Sequence, residues 1–547
     1  MGNSPGRTPL HFSYNLLQAM DSNTEELMEA FKRATGEFNL CPNRVWAIAR
    51  EDLPELMPVS NSIPDRDKCK EREKSEEHEN HDLCTFDFCE HSQRDFTAVQ
   101  QRHECKKDNC SQLQDLFSRE ILTKAVEGKK STVWSLDGRS MIEPPRPYMA
   151  ISHVWSDGTG TGAWRDGEVN ECLYEFFERI AKQFQCDGIW WDTLCIPKKK
   201  TLREKALRKI QINYERARIT LVHDCFLRNW NWDQETACFA ILMSPWFSRG
   251  WTALELAKSR KVKVIFKGPC GPLIKDLDEE ILAKEGDPSS PRKKASKIIE
   301  KLRNKITTLD SLLTVLRPRY TSKPKDRAII SGLLVDVDLL PNNSQKNIWQ
   351  QDIYKCILMK IRKVSPGHLF HNSAPMAKVN WCPASLFDMP TTDSEELLSV
   401  TEALDLIGKW RCISTTDIPE DRYIWKGIHP LIEKQLKRHL QSSGEGKNFL
   451  LSECRTKSGD KSSTLPVDKA LLVKERTPEL ACYQYIGAVY FHPALTGNDF
   501  GKGVDEIVEV TLLGDPERMV KLDGNDSEAK KGQQKQTRND SQVYPSH

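Results

Sequence analysis

The stretch GIWWDTLC, residues 188–195, decides the fold. Its first half is apolar without the alternation of a half-solvated strand, so a strand here needs cover on both faces, the environment of a parallel sheet between helices. Working outward, VNECLYEFFERIAKQF (169–184) precedes it with the three-to-four spacing of an amphipathic helix, and YMAISHV (148–154) reads as a second apolar strand. Downstream, LREKALRKIQINYERA (202–217) reads as one helix and ITLVHD (219–224) as a strand. ETACFAILM and WTALELAKS are helical, and VKVIF (262–266) is a strand. Strands alternating with helices predict an α/β unit with a doubly wound parallel sheet.

The chain of 547 residues is too long for one ordinary domain. Residues 1–130 form an N-terminal helical region with a charged linker and a Cys/His-rich segment. The α/β unit spans 140–270, a mixed α+β region spans 290–515, and a tail poor in apolar residues, 523–547, is expected to be disordered. Lys and Arg total 80 against 78 acids, so no global field favours nucleic acid or a cationic partner. No apolar run approaches the roughly 18 residues of a spanning helix, and MGNSPGRTPL lacks a signal-peptide core. Seventeen cysteines, an odd number placed mostly singly in apolar stretches, suit a reducing compartment. The expectation is a cytoplasmic protein that engages neither membrane nor nucleic acid.

The Cys/His segment, CTFDFCEHSQRDFTAVQQRHECKKDNC, offers Cys84-x4-Cys89 and Cys105-x4-Cys110, with His103 two before Cys105. Two cysteine pairs and a histidine on a piece too small for its own core fit a closed, structural zinc site. Reduced surface cysteines are the alternative. After the 148–154 strand, Gly158-x-Gly160-x-x-Ala163 fits a dinucleotide fingerprint, but WRDGE separates it from the next helix, so it reads better as a loop at the sheet edge. Cys195 with His153 is a weak nucleophile pair beside the reading of a buried thiol and a core histidine. Asp192, after two tryptophans at a strand end, requires a partner or a cleft. In SPWFSRGWTALELAKS (244–259), helical spacing puts Glu255 one turn beyond Trp251. It is either salt-bridged to Lys258 or Arg249, or it is an acid shielded from water with a raised pKa.

Taken in order, YMAISHVWSDGTG, GIWWDTLCIP with its following helix, ITLVHD and SPWFSRGWTALEL resemble the fungal heterokaryon-incompatibility (HET) domain over residues 148–268. LCIPKKK, Gly250 and Ala253 depart from the family pattern. The resemblance implies a protein of heterokaryon incompatibility and programmed cell death. HET domains are similar to Toll/interleukin-1 receptor (TIR) domains, which implies a flavodoxin/TIR-like sheet. Some TIR domains hydrolyse NAD with the glutamate of a W-x-x-x-E helix, and Glu255 occupies that position. The resemblance thus implies NAD as substrate and Glu255 as catalytic. Ser152, His153, Trp155, Asp157, Asp192 and Trp251 are the implied substrate-binding residues. Its partners would be further copies of the chain or other incompatibility proteins. The alternative is a non-enzymatic, self-associating signalling module that recruits cell-death partners.

Overall fold

The computed structural model describes residues 23–57, 81–89 except 82 and 87, 99–160 except 106–109, 112 and 114–115, and 169–339 except 284 and 286. It further describes 350–454 except 393–395, 415–417, 427 and 442–446, then 467–495 and 506–515. The chain divides into two compact units, residues 1–307 with 314–348, and residues 308–313 with 349–547. Ala163 and the tail after 523 lie outside the described residues.

The first unit is mixed α/β. Its sheet comprises β1 (Val133–Ser135), β2 (Met141–Ile142), β3 (Tyr148–His153), β4 (Gly188–Trp190), β5 (Ile219–His223), β6 (Val262–Gly268) and β7 (Gly271–Asp276), in the order β2-β1-β4-β3-β5-β6-β7. The four central strands are parallel, with His153 of β3 in register with His223 of β5. These are the four strands expected from the apolar runs, and every residue of β3, β4 and β5 is buried. At the margins the sheet turns antiparallel, through β1 on β4 and β7 on β6. The β1 edge rests on a close approach: a Cβ on Gly188 would lie 2.4 Å from the Trp134 carbonyl oxygen, so only glycine fits there.

The helices that matter below are α1 (Asn23–Lys32), α2 (Pro42–Ala49), α3 (Glu171–Gln183), α4 (Asp192–Cys195), α5 (Lys200–Leu207), α6 (Ile210–Arg216), α7 (Cys225–Asn229), α8 (Gly250–Lys258) and α9 (Pro324–Leu334). Two differ from the sequence reading. The strand in GIWWDTLC stops at Trp190, because the amides of Leu194 and Cys195 both turn back to the Trp191 carbonyl and close a helical turn. The single helix expected over 202–217 is broken at Arg208–Lys209. Ile210 and Tyr214 of α6 are pinned down by burial, with the Tyr214 hydroxyl donating to the Ile151 carbonyl, whereas α5 buries only Leu202. One straight rod does not satisfy both anchor sets.

In the second unit, β8 (Lys363–Val364), β9 (Pro375–Met376), β10 (Val379–Pro383), β11 (Leu398–Val400), β12 (Leu406–Ser414), β13 (Asn448–Ser452), β14 (Val467–Thr477), β15 (Cys482–Leu495) and β16 (Glu506–Leu512) alternate with a few helices. β13 pairs with both β14 and β12, so β12 through β16 close on themselves and leave no free edge within that ring. Ile413, Leu450, Leu472, Val489 and Phe491 belong to its core. Among the described residues, no helix is long and apolar enough to cross a membrane.

Candidate functional site

The C-terminal ends of β3 and β5 carry a polar cluster built into an apolar sheet. β3 ends in Ser152 and His153, and alternation sends their side chains to opposite faces. On one face the Ser152 hydroxyl accepts a hydrogen bond from the Trp246 indole at 2.7 Å and donates to Glu255 Oε2 at 2.5 Å. Glu255 comes from α8, whose start is fixed by the Thr252 hydroxyl bonding back to the Trp246 carbonyl. Glu255 is buried, and burial pushes its carboxyl pKa up from 4.5 to about 7. The Ser152 and Tyr214 hydrogen bonds and the nearby charge of His153 moderate that rise, while Asp192 adds to it. Lys258 is engaged with Asp336 and Glu215, and Arg249 with Ser322 and the face of Tyr320. The ion pair weighed from the sequence is therefore not what surrounds Glu255.

On the other face His153 meets Asp192. His153 Nε2 lies 2.7 Å from Asp192 Oδ1, and Nδ1 lies 3.0 Å from the Val154 carbonyl. Both ring nitrogens thus have acceptors, which the imidazolium satisfies. Burial opposes that charge, but Asp192 outweighs it and raises His153 to about 9. Asp192 in turn is held below the usual carboxylate range despite burial, by His153, the Trp155 indole at 2.9 Å and the Thr193 amide. The Trp191 indole also points at His153 Nε2, from 3.1 Å. It can donate there only when the ring is neutral, so proton loss exchanges one partner for the other. Asp192, with its side chain 22% exposed, is the member of this pair that reaches the surface.

A second constellation continues at β5. His223 donates from Nδ1 to Thr159 Oγ1 at 2.9 Å and accepts at Nε2 from Arg228 at 2.8 Å, and burial lowers its pKa to about 4. Arg228 also forks onto Glu104, one arm at 2.9 Å. Burial would raise the Glu104 carboxyl, but the hydrogen bonds and charge of Arg228 hold it well below its ordinary value. Asp157 braces the loop between these groups, accepting from the amides of Thr159 and Cys225.

Of the residues singled out from the sequence, Ser152, His153, Asp192 and Glu255 converge around the end of β3, and Trp155 caps Asp192. Asp157 serves the loop. Trp251 does not join them; its indole donates to Asp326 of α9 at 3.1 Å. Cys195 is fully buried, its thiol pushed far above its ordinary pKa, so it is a packed side chain and not a nucleophile poised by His153. Trp246, Tyr214, His223, Glu104 and Arg228 were not marked as site residues from the sequence. The glycine loop is occupied by protein: Gly158 has φ +77°, and its carbonyl accepts from the Arg102 amide at 2.8 Å.

The cysteines and histidine of the expected zinc site divide between two places. His103, Cys105 and Cys110 gather with Cys172 of α3, and Cys84 and Cys89 gather with Cys41 just before α2. In each group the ligand atoms lie within 4.8 Å of one another, close enough to hold a metal ion. Cys41 and Cys172 had carried no signal, because each arrives from a distant helix end. Compared with known proteins, the chain matches no family model, no curated protein and no solved structure.

Proposed function

We propose that the first unit is a HET-type, TIR-like domain that hydrolyses the nicotinamide–ribose bond of NAD. The observation that carries this reading is the Glu255 carboxyl, buried against a strand end, with no Lys or Arg partner among the described residues, and brought to a pKa of about 7. Asp192 close by is kept ionised. Two carboxyls driven apart by their surroundings are the usual sign of divided acid–base labour. The parallel strands run β4-β3-β5-β6, the order in which flavodoxin-like sheets begin, and such sheets bind ligands beyond the strand ends where the order reverses. Ser152, His153 and His223 end the two strands that flank this point.

In the reaction the C1′–N bond breaks and its electron pair leaves with nicotinamide, which departs neutral. The ribose carries the positive charge, as in other glycosyl transfers. Ionised Glu255 stabilises that charge, and the approach of cationic NAD itself favours the ionised carboxyl. Water forms the new C1′–O bond and gives its proton to Glu255, from which it passes to solvent, leaving ADP-ribose. Asp192 accepts ribose hydroxyls at the surface, and Trp155, fixed on it, supplies an aromatic face.

A second reading, a non-enzymatic self-associating module, is favoured by one feature: the hydrogen bonds of Glu255 go to protein groups, as a structural strut's would. Nicotinamide release from NAD by the full chain at high concentration separates the two. Release that Glu255→Gln abolishes, with an unchanged circular dichroism spectrum, supports hydrolysis. Cell death on overexpression with steady NAD levels supports association.

A further inference from the structure

We propose that the chain holds two structural zinc ions in two separate Cys3His sites, the first closed by Cys41, His81, Cys84 and Cys89, the second by His103, Cys105, Cys110 and Cys172. The inference is independent of the proposed NAD chemistry. It departs from the sequence reading in the number of sites and in three of the ligands.

His103 gathers three thiols around one ring nitrogen. Its Nδ1 lies 3.3 Å from Cys110 Sγ, 3.7 Å from Cys172 Sγ and 3.8 Å from Cys105 Sγ. One ring nitrogen has a single proton or a single lone pair and cannot serve three thiols as hydrogen-bond partners. A tetrahedron with Zn–S of about 2.3 Å and Zn–N of about 2.0 Å has N···S edges of roughly 3.5 Å, and this is the spacing found. The Glu104 amide directs its N–H at Cys172 Sγ from 3.0 Å, the kind of outer contact that steadies a thiolate ligand.

The first site repeats the pattern. Cys41, Cys84 and Cys89, at 0%, 8% and 5% exposure, form a buried cluster made of cysteines alone. An apolar pocket would place aliphatic side chains there. His81 stands beside this cluster, with Nδ1 3.5 Å from Cys84 Sγ but outside the 4.8 Å within which the three thiols gather, and it would move in to supply the fourth ligand. The chain turns tightly around the cluster, with the Cys84 amide on the His81 carbonyl and the Thr85 amide on the Phe88 carbonyl. Phe86 then stacks on Phe31 of α1 and packs edge-on against Trp46 of α2. Four protein ligands close each site, so neither metal keeps an open position for chemistry. The first ties the segment around Cys84 and Cys89 to α2; the second ties the loop that carries Glu104 to the start of α3.

The full chain, purified with reductant and without chelator, is passed over a sizing column and its metal counted by inductively coupled plasma mass spectrometry. Two zinc ions per chain are expected, falling to one in Cys41→Ser, to one in Cys172→Ser and to none in the double variant. One zinc or none in the parent overturns the proposal, as does a count that either substitution leaves at two, or cysteine pairs recovered as disulfides under non-reducing mass spectrometry. Should a serine variant fail to fold, cobalt decides with the parent chain alone. Two equivalents, each with the thiolate charge-transfer intensity of three sulfurs, support the assignment; one equivalent, or the intensity of two or four sulfurs, overturns it.

Discussion

Ser152 Oγ stands 2.5 Å from Glu255 Oε2, and the same oxygen receives the Trp246 indole N–H at 2.7 Å. The hydroxyl therefore holds the acid in place and lowers its pKa against the effect of burial. Ser152→Ala leaves a carboxyl oxygen and an indole N–H without that partner, both in the interior. A loss of about 1–3 kcal/mol in denaturant unfolding is expected. The pH midpoint of any NAD hydrolysis should move to higher pH, because Glu255 loses a hydrogen bond that favours its charged form. A midpoint that stays or falls would separate Ser152 from the titration.

Glu255 itself sets a pH dependence of folding. Its folded pKa of about 7 exceeds its unfolded value of 4.5, so the native state binds the proton more tightly. The stabilisation is complete below the unfolded value and is lost as pH rises from about 4.5 to 7, by roughly 3 kcal/mol at 1.4 kcal/mol per pKa unit. Glu255→Gln keeps the shape and cannot ionise. Its stability relative to the parent should therefore rise across this window and level off above it, measured by urea unfolding at a series of pH values. A difference between the two proteins that does not vary with pH would place the titration elsewhere.

The His153–Asp192 pair acts in two windows. His153 is raised from 6.5 to about 9, so its contribution is full below 6.5 and disappears as pH climbs through 9. Asp192 is lowered, so its contribution is present above its unfolded value and is lost as pH falls through the lower folded one. The two titrate as a coupled pair. Asp192→Asn removes the partner that keeps the imidazolium charged, and breaking such a pair costs about 3–5 kcal/mol where it is buried; partial exposure of Asp192 puts the expectation at the lower end. Imidazole carbon NMR shifts should show the His153 pKa falling to or below 6.5 in Asp192→Asn. An unchanged pKa would mean that Asp192 does not hold the proton there.

The central strands were legible because burial on both faces leaves an unbroken apolar run, as in YMAISH and GIW. Asp192 was legible for the complementary reason, an acid where apolar neighbours leave it no solvent. The partners were not. His153 and Asp192, Ser152 and Glu255, and Glu104 and Arg228 each join elements far apart in sequence, and no local spacing encodes which strand end meets which. Cysteine spacing failed in the same way: it grouped Cys84 with Cys105, while the fold recruits Cys41 and Cys172 from distant helix ends. The antiparallel margin at β1 and β2 escaped notice because these strands are three and two residues long, too short to show a period.

Gly158 separates the packing account of the glycine loop from the dinucleotide account. It sits at φ +77°, where a side chain costs about 1–2 kcal/mol, and an added Cβ would lie 2.7 Å from the Gln100 carbonyl oxygen and 3.1 Å from the Arg102 amide nitrogen. Both contacts are backbone, so the extended segment through Arg102 must shift, carrying with it His103 and Glu104. Gly158→Ala should thus destabilise the first unit by about 2–4 kcal/mol, strain and overpacking together, and should expose residues 99–105 to limited proteolysis. If the glycine instead served a pyrophosphate, the substitution would weaken NAD binding while leaving unfolding and cleavage as in the parent. Urea unfolding and a protease time course on the same preparation distinguish these outcomes. The packing account predicts damage that appears without any nucleotide present.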